Sequence, residues 1–281
     1  MPVNVVDEHV CFQGKQLQFT HESSVNACQM TCSIYLPVEA ETQQVPVLWW
    51  LSGLTCTDQN FVTKAGAQQF AAQHGLAIVA PDTSPRGDDV PDDPDGAYDF
   101  GLGAGFYVDA TQDPWSKNYN MYSYITEELP KLVEENFAVD MTKQGIFGHS
   151  MGGHGALTIG LKNPDKYTSI SAFAPIVSPL NCPWGEKALS GYIGDDRAQW
   201  EQYDACALIA KAEHKVPLLA DFGDADGFLD EQLKPHLLEE ACKNADHPLK
   251  LRMLPGYDHS YYFMATFMED HIRHHADALN G

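Results

Sequence analysis

The chain has 281 residues, 44% of them hydrophobic and 20% charged, a composition that suits an ordinary globular protein with a sizeable core. Its 39 acidic and 17 basic residues give a formal net charge of −22, a surface that repels nucleic acid phosphates and anionic membranes and so argues against both as partners. No apolar run approaches the roughly 20 residues of a membrane span. The N-terminal MPVNVVDEHVCFQGKQ lacks the basic and apolar regions of a secretion signal, so none is expected.

In chain order, the first forty residues read as a β start. QLQFTHESS and CQMTCSIYLP alternate apolar and polar residues with turn residues between them. VPVLWWLSG (45–53) is a nearly continuous apolar run ending in Gly, the pattern of a strand buried on both faces. FVTKAGAQQFAAQHG (61–75) has helical apolar spacing and a Gly stop, and LAIVAPD (76–82) reads as a second buried strand. Strand, helix and strand in that order imply βαβ units and an α/β fold with a mostly parallel central sheet flanked by helices.

Residues 83–116 form a long segment rich in Asp, Pro and Gly, whose Tyr98, Phe100, Phe106, Tyr107 and Trp115 point to an ordered excursion over one end of the sheet. Within it, DDVPDDPDG reads as a solvated loop and lacks the spacing of an EF-hand. NMYSYITEELPKLVEENF (120–137) predicts a helix that Pro130 kinks or delays. QGIFGHS predicts a strand and MGGHGALTIGLKN a helix; YTSISAFAP (167–175) and VPLLADFGD (216–224) are further strands, with loop and short helices between them. EQLKPHLLEEACKNA is an amphipathic helix, LKLRMLPG a late strand and SYYFMATFMEDHIRHHADAL a terminal helix. With no repeat, linker or low-complexity tract, residues 1–281 are expected to form a single domain.

Gly148-His149-Ser150-Met151-Gly152 matches G-x-S-x-G between an apolar strand and a helix, the setting of a nucleophile elbow, and makes Ser150 the candidate nucleophile. The residues two before and two after it must be small, because the tight turn brings them together. In such folds the partners follow in the order Ser, then Asp or Glu, then His. That order sets aside His149, whose side chain the sharp turn is expected to send elsewhere, and His154, read as a helix-face residue. LLADFGDADGFLD places Asp224, Asp226 and Asp230 just past a buried strand, and LRMLPGYDHSYYF places His259 just past the next. Carboxyl ends of parallel strands carry the chemistry of such sheets, so His259 is the expected base. Spacing alone leaves Asp224 and Asp226 both open as its partner. His236 and His247 read as surface or packing residues, and His271, His274 and His275 as a solvated helix face. Seven scattered cysteines (11, 28, 32, 56, 182, 206 and 242), odd in number, are expected to be reduced thiols of a cytoplasmic protein, with no metal or redox role for Cys28 and Cys32.

SGLTCTDQNF, APDTSPRG, YDFGLGAGFYVDAT, NMYSYITEELP, FGHSMGGHGAL, GDADGFL and PGYDHSYYF together resemble the S-formylglutathione hydrolase (esterase D) family, from about residue 20 to residue 275. The resemblance implies an α/β-hydrolase fold and a Ser150, Asp226, His259 triad. The acid is the position two residues before the Phe-Leu of the family's D-x-F-L pattern. It implies backbone N–H donors for an oxyanion from Leu54 and Met151, no metal and no cofactor. The partner it implies is a small glutathione thioester, cleaved to glutathione and formate through an acyl-serine. It also implies a homodimer. A broad short-acyl carboxylesterase is the alternative activity. Cys56, two residues beyond Leu54, reads first as a small buried hydrophobe and alternatively as a thiol beside the site. Trp184, in NCPWGEK, resembles a family tryptophan near the acyl pocket, with plain core packing as the other reading.

Overall fold

The computed structural model describes residues 2–281. The described residues form one sheet of nine strands, β1 (Asn4–Cys11), β2 (Gly14–Ser23), β3 (Cys28–Leu36), β4 (Val45–Leu51), β5 (Ala77–Pro81), β6 (Val139–His149), β7 (Tyr167–Phe173), β8 (Leu218–Gly223) and β9 (Leu249–Leu254). Their order across the sheet is β1-β2-β3-β5-β4-β6-β7-β8-β9. Pairs from β1 to β3 and the β3–β5 pair are antiparallel, and every pair from β5 through β4 to β9 is parallel. The helices are α1 (Asp58–Lys64), α2 (Ala67–His74), α3 (Met121–Ser123), α4 (Leu129–Asn136), α5 (Met151–Lys162), α6 (Pro183–Ile193), α7 (Arg197–Trp200), α8 (Ala205–Ile209), α9 (Pro235–Ala245) and α10 (Tyr261–Asn280).

Alternation along β7 assigns two of these helices to opposite faces. Ser169 and Ser171 hydrogen-bond His275 of α10, whereas Ile170 between them packs against Gly160 of α5. The apolar run of β4 lies mid-sheet, buried from Val47 to Leu51, with no polar face to spare. Trp50 stacks on Phe61 at 4.1 Å and meets the edge of Phe147 at 4.9 Å, while its indole N–H donates to Ser52 Oγ. Removing such a side chain costs about 3–5 kcal/mol.

Four local features depart from the sequence pattern, each for a physical reason. β1 pairs with β2 through a hairpin whose two loop residues, Phe12 and Gln13, both have positive φ (48° and 63°). That geometry is normally signalled by Asn-Gly or Gly-Gly, and β1 itself is exposed almost throughout. The helical pattern over 61–75 is two helices, because Gly66 is left-handed (φ 66°) between α1 and α2. Ahead of Pro130, Tyr124–Glu128 widens into a π turn between α3 and α4. Pro130 offers no N–H to the carbonyl four residues back, and Lys166 Nζ donates to that Thr126 oxygen at 3.0 Å instead. The Asp-rich stretch is not simply solvated: Asp92 accepts the Leu102 N–H, Val90 is buried, and Pro91 O accepts from Tyr119.

The largest departure lies on α10. His271 and His275 are wholly buried, and His274 is partly so. They continue the buried stripe of Met264, Met268 and Leu279 rather than a wet face. His275 bonds Ser169 and Ser171, His271 bonds Ser171 and Asp221, and Asp221 is clasped by Arg252, which also holds Asp270. Burial holds the imidazolium forms of all three histidines below their ordinary range, His275 most strongly. Burial alone would raise the Asp221 carboxyl, but hydrogen bonds from His271 and Arg252 bring it below normal.

Candidate active site

Ser150 stands at the junction of β6 and α5 with φ 57° and ψ −118°, a conformation that L-residues rarely adopt. Its own amide donates to Phe173 O at 2.9 Å, and its carbonyl accepts from His154 N at 2.9 Å, which fixes the turn from both sides. A Cβ on Gly148 would overlap the Gly152 carbonyl, and one on Gly152 would overlap Leu51 O. The two glycines therefore let the backbone close on itself, and the serine is carried outward at the end of the sheet.

β8 ends at Gly223, and the following turn delivers Asp226. Its Oδ1 accepts the Phe228 N–H at 2.8 Å, and its Oδ2 lies 2.5 Å from His259 Nδ1. His259 arrives from the loop between β9 and α10. The Asp226 carboxylate is fully buried and the imidazole 18% exposed, so one face of the pair is shielded and the other faces the cavity. Ser150 and His259 line the same cavity, of about 340 Å³. Asp224 is turned away, its Oδ1 capping Gly256 N at 2.6 Å, and Asp230 is exposed. The two carboxylates that spacing left equivalent thus have different partners.

Leu54 and Met151 both sit beside Ser150, Leu54 in the cavity wall and Met151 as the first residue of α5. Among the described residues neither backbone N–H has a protein acceptor, as expected of a first-turn helical amide. The loop carrying Leu54 is strained at Thr55 (φ 67°) and tied down from several sides. Thr55 N donates to Gly103 O at 2.9 Å, Tyr107 Oη to Ser52 O at 2.9 Å, and Thr83 Oγ1 to Cys56 O at 2.5 Å. Arg86, itself paired with Asp82, also reaches Cys56 O. All four anchors come from the 83–116 excursion, which is therefore a brace for this loop.

Cys56 lines the cavity and is half-buried, so the thiol-beside-the-site reading matches its position and the plain buried hydrophobe does not. Burial pushes its thiol up, a push that Tyr261 and Lys64 partly counter. Trp184 is both packed and part of the wall. It is 5% exposed, donates its indole N–H to Tyr98 Oη at 3.1 Å and lies 4.7 Å from Phe228, which in turn edges His259 at 5.0 Å.

One expectation fails outright. His149 does not point away: its ring lines the cavity and packs on His259, with centroids 4.4 Å apart. Strand β6 runs buried to its last residue, and that continuous burial would have marked His149 as an interior group. Burial first, then neighbouring His259, holds its imidazolium well below the ordinary range. His154 is no open helix face either; it is fully buried, bonded to Phe106 O at 3.0 Å and lowered by burial to about 4. His247 is buried against Val216 O and His236 is exposed. Phe228, Tyr261, Asn60 and Lys64 also line the cavity, and nothing in their sequence spacing announced it. Among the described residues no group of three or more His, Cys, Asp or Glu is arranged to hold a metal ion, and no helix is long and apolar enough to cross a membrane.

The esterase family profile matches residues 23–274. The S-formylglutathione hydrolase of Arabidopsis thaliana is 58% identical over 271 residues, covering 95% of each chain. That of Rattus norvegicus is 53% identical over 282 residues and covers all of both chains. A solved S-formylglutathione hydrolase from Agrobacterium tumefaciens superposes with a TM-score of 0.96 at 51% identity, covering 98% of this chain and 99% of that one. With its mostly parallel sheet, buried elbow and full-length similarity, the chain belongs to the S-formylglutathione hydrolase family of α/β-hydrolase esterases.

Proposed function

We propose that the chain hydrolyses the thioester S-formylglutathione to glutathione and formate, with Ser150 as nucleophile, His259 as general base and Asp226 as its orienting carboxylate. The observation that carries this reading is the 2.5 Å contact of Asp226 Oδ2 with His259 Nδ1 beside a cavity that also holds Ser150. A proton on Nδ1, shared with Asp226, leaves Nε2 free to take the serine proton as Oγ attacks the carbonyl carbon. The buried carboxylate then favours the imidazolium. The Leu54 and Met151 amides stabilise the oxyanion, a role whose loss costs about 10²–10³ in rate per donor. Collapse expels the glutathione thiolate, a better leaving group than an amine. Water, activated by His259, attacks the formyl-serine, and collapse of that intermediate releases formate.

Cys56 and Trp184 belong to the substrate wall in this reading, supported by their positions around the cavity. No cofactor takes part in the proposed steps. The reading extends to a single domain over residues 1–281, supported by the one continuous sheet, and to a cytoplasmic protein, supported by seven unpaired thiols. A homodimer is part of the same proposal and is checked by light scattering. S-formylglutathione hydrolysis by wild type and Ser150→Ala tests the whole. The expected result is a loss of about 10⁴ or more in kcat for the variant; equal rates would overturn the assignment. A wild type with higher kcat/KM on a small acetate ester than on S-formylglutathione would instead favour the short-acyl carboxylesterase.

A further inference from the structure

Formyl is the smallest acyl group, so most of what an enzyme can recognise in S-formylglutathione is the peptide on the leaving sulfur. The sulfur sits on the middle residue, and each of the two flanking arms ends in a carboxylate. Whichever arm reaches outward from the reacting centre therefore brings a carboxylate anion with it, alone on the glycyl arm and beside an ammonium on the γ-glutamyl arm. On a chain of net charge −22 that anion needs a local cation.

The cavity beside Ser150 leads to such a cation. Lys64, Ser260 and Tyr261 line it and also line a second recess of about 600 Å³, bounded further out by Tyr262 and Ala265. Among the residues lining the two recesses, Lys64 is the only lysine or arginine. It ends α1, where the partial negative charge of the helix terminus favours a cation. Its ammonium is 5.6 Å from the centre of the Tyr261 ring and makes no ion pair among the described residues, so what sets it apart from other unpaired lysines is its place at the mouth of the cavity. Where carboxylates outnumber basic groups more than two to one, an unpaired lysine at a cavity mouth is poised for a ligand. Tyr262, 86% exposed, offers an apolar surface beside it.

We propose that Lys64 is a specificity-determining residue that binds a carboxylate of the glutathione moiety, with the recess over Ser260, Tyr261 and Tyr262 as the peptide subsite. The proposal rests on the S-formylglutathione reading above and adds the residue that recognises the leaving group. Lys64 acts on the part of the substrate remote from the carbonyl, so its contribution belongs mainly in KM.

The test compares kcat and KM of wild type, Lys64→Met, Lys64→Glu and Lys64→Arg on S-formylglutathione and on neutral p-nitrophenyl acetate. A Lys131→Met control removes the same charge from an exposed position on α4. Lys64→Met is expected to raise KM for the thioester by about fivefold, the upper range of a solvent-exposed ion pair. Lys64→Glu should raise it further, and Lys64→Arg should restore most of the loss. The ratio of kcat/KM between the two substrates falls accordingly in Lys64→Met and Lys64→Glu, while Lys131→Met keeps the wild-type ratio. Added salt should lower the wild-type kcat/KM on the thioester relative to that of Lys64→Met, narrowing the gap between them. If the wild type prefers the thioester and Lys64→Glu leaves its KM unchanged, or both substrates suffer equally, the proposal is overturned alone. If the wild type prefers the neutral ester, the functional reading is overturned and this proposal with it.

Discussion

The ring of His149 packs against that of His259, centroids 4.4 Å apart and planes 46° from parallel. A neutral imidazole is tolerated there because it adds no charge where the proposed base must become positive. Burial and His259 hold His149 neutral well below its ordinary range. His149 should therefore add no proton to the acid limb of kcat/KM, which is expected to rise with a slope of one; a slope of two would contradict it. His149→Lys should lower kcat at least about tenfold and shift that limb to lower pH, since a cation at this separation opposes the imidazolium.

The two aspartates of GDADGF provide a sharper contrast. Asp226→Asn removes the carboxylate from His259 Nδ1 and should lower kcat by about 10⁴. Asp224→Asn keeps an acceptor for Gly256 N and should stay within about threefold of wild type. Steady-state kinetics of the two variants at one pH decide the matter. Equal losses would mean that the Asp226 contact is not the functional one.

Gly152→Ala should fail for steric rather than chemical reasons. Its methyl would overlap the Leu51 carbonyl, which belongs to the central strand and cannot retreat. A destabilisation of about 3 kcal/mol or more is expected from urea unfolding midpoints, with activity lost alongside.

Acid should unfold the protein early. An unfolded histidine titrates near pH 6.5, while burial holds native His154 near 4 and His271 and His275 below their ordinary range. Between those values the unfolded chain binds protons that the native chain refuses. Stability is thus whole above about pH 6.5 and falls as pH drops, by about 1.4 kcal/mol per unit for each fully linked group. Urea midpoints between about pH 6 and pH 4 should show this slope, and His154→Gln should reduce it by about one proton.

Much of the site was legible because its chemistry demands unusual residues at fixed places. Gly148 and Gly152 flank Ser150 since nothing larger fits, and the apolar run of β4 has only one comfortable location. The histidines of α10 depart from the expectation because a polar residue type does not by itself imply exposure. Extending the stripe Met264, Met268 by helical steps reaches His271 and His275, and the alternating Ser169 and Ser171 of β7 meet them. The contact of His149 was not legible because chain order points to a candidate base but says nothing of what packs on it. The hairpin at Phe12 and Gln13 gave no signal, since neither residue advertises a left-handed turn. Lys64 joins the site through the juxtaposition of α1 and α10, elements about two hundred residues apart in the chain.

The bracing of the Leu54 loop has a consequence for protein engineering. Residues 83–116 contain almost no regular secondary structure, the usual mark of a segment that can be trimmed or swapped. Here Thr83, Arg86, Gly103 and Tyr107 hold the 52–56 backbone in place. Shortening the segment would unseat the Leu54 amide of the proposed oxyanion site, and would also remove the buried Ala104, Phe106, Tyr107, Val108 and Trp115 from the core. A chimera that exchanged this stretch would have to keep those core side chains as well as the four anchors to fold and work like its parent.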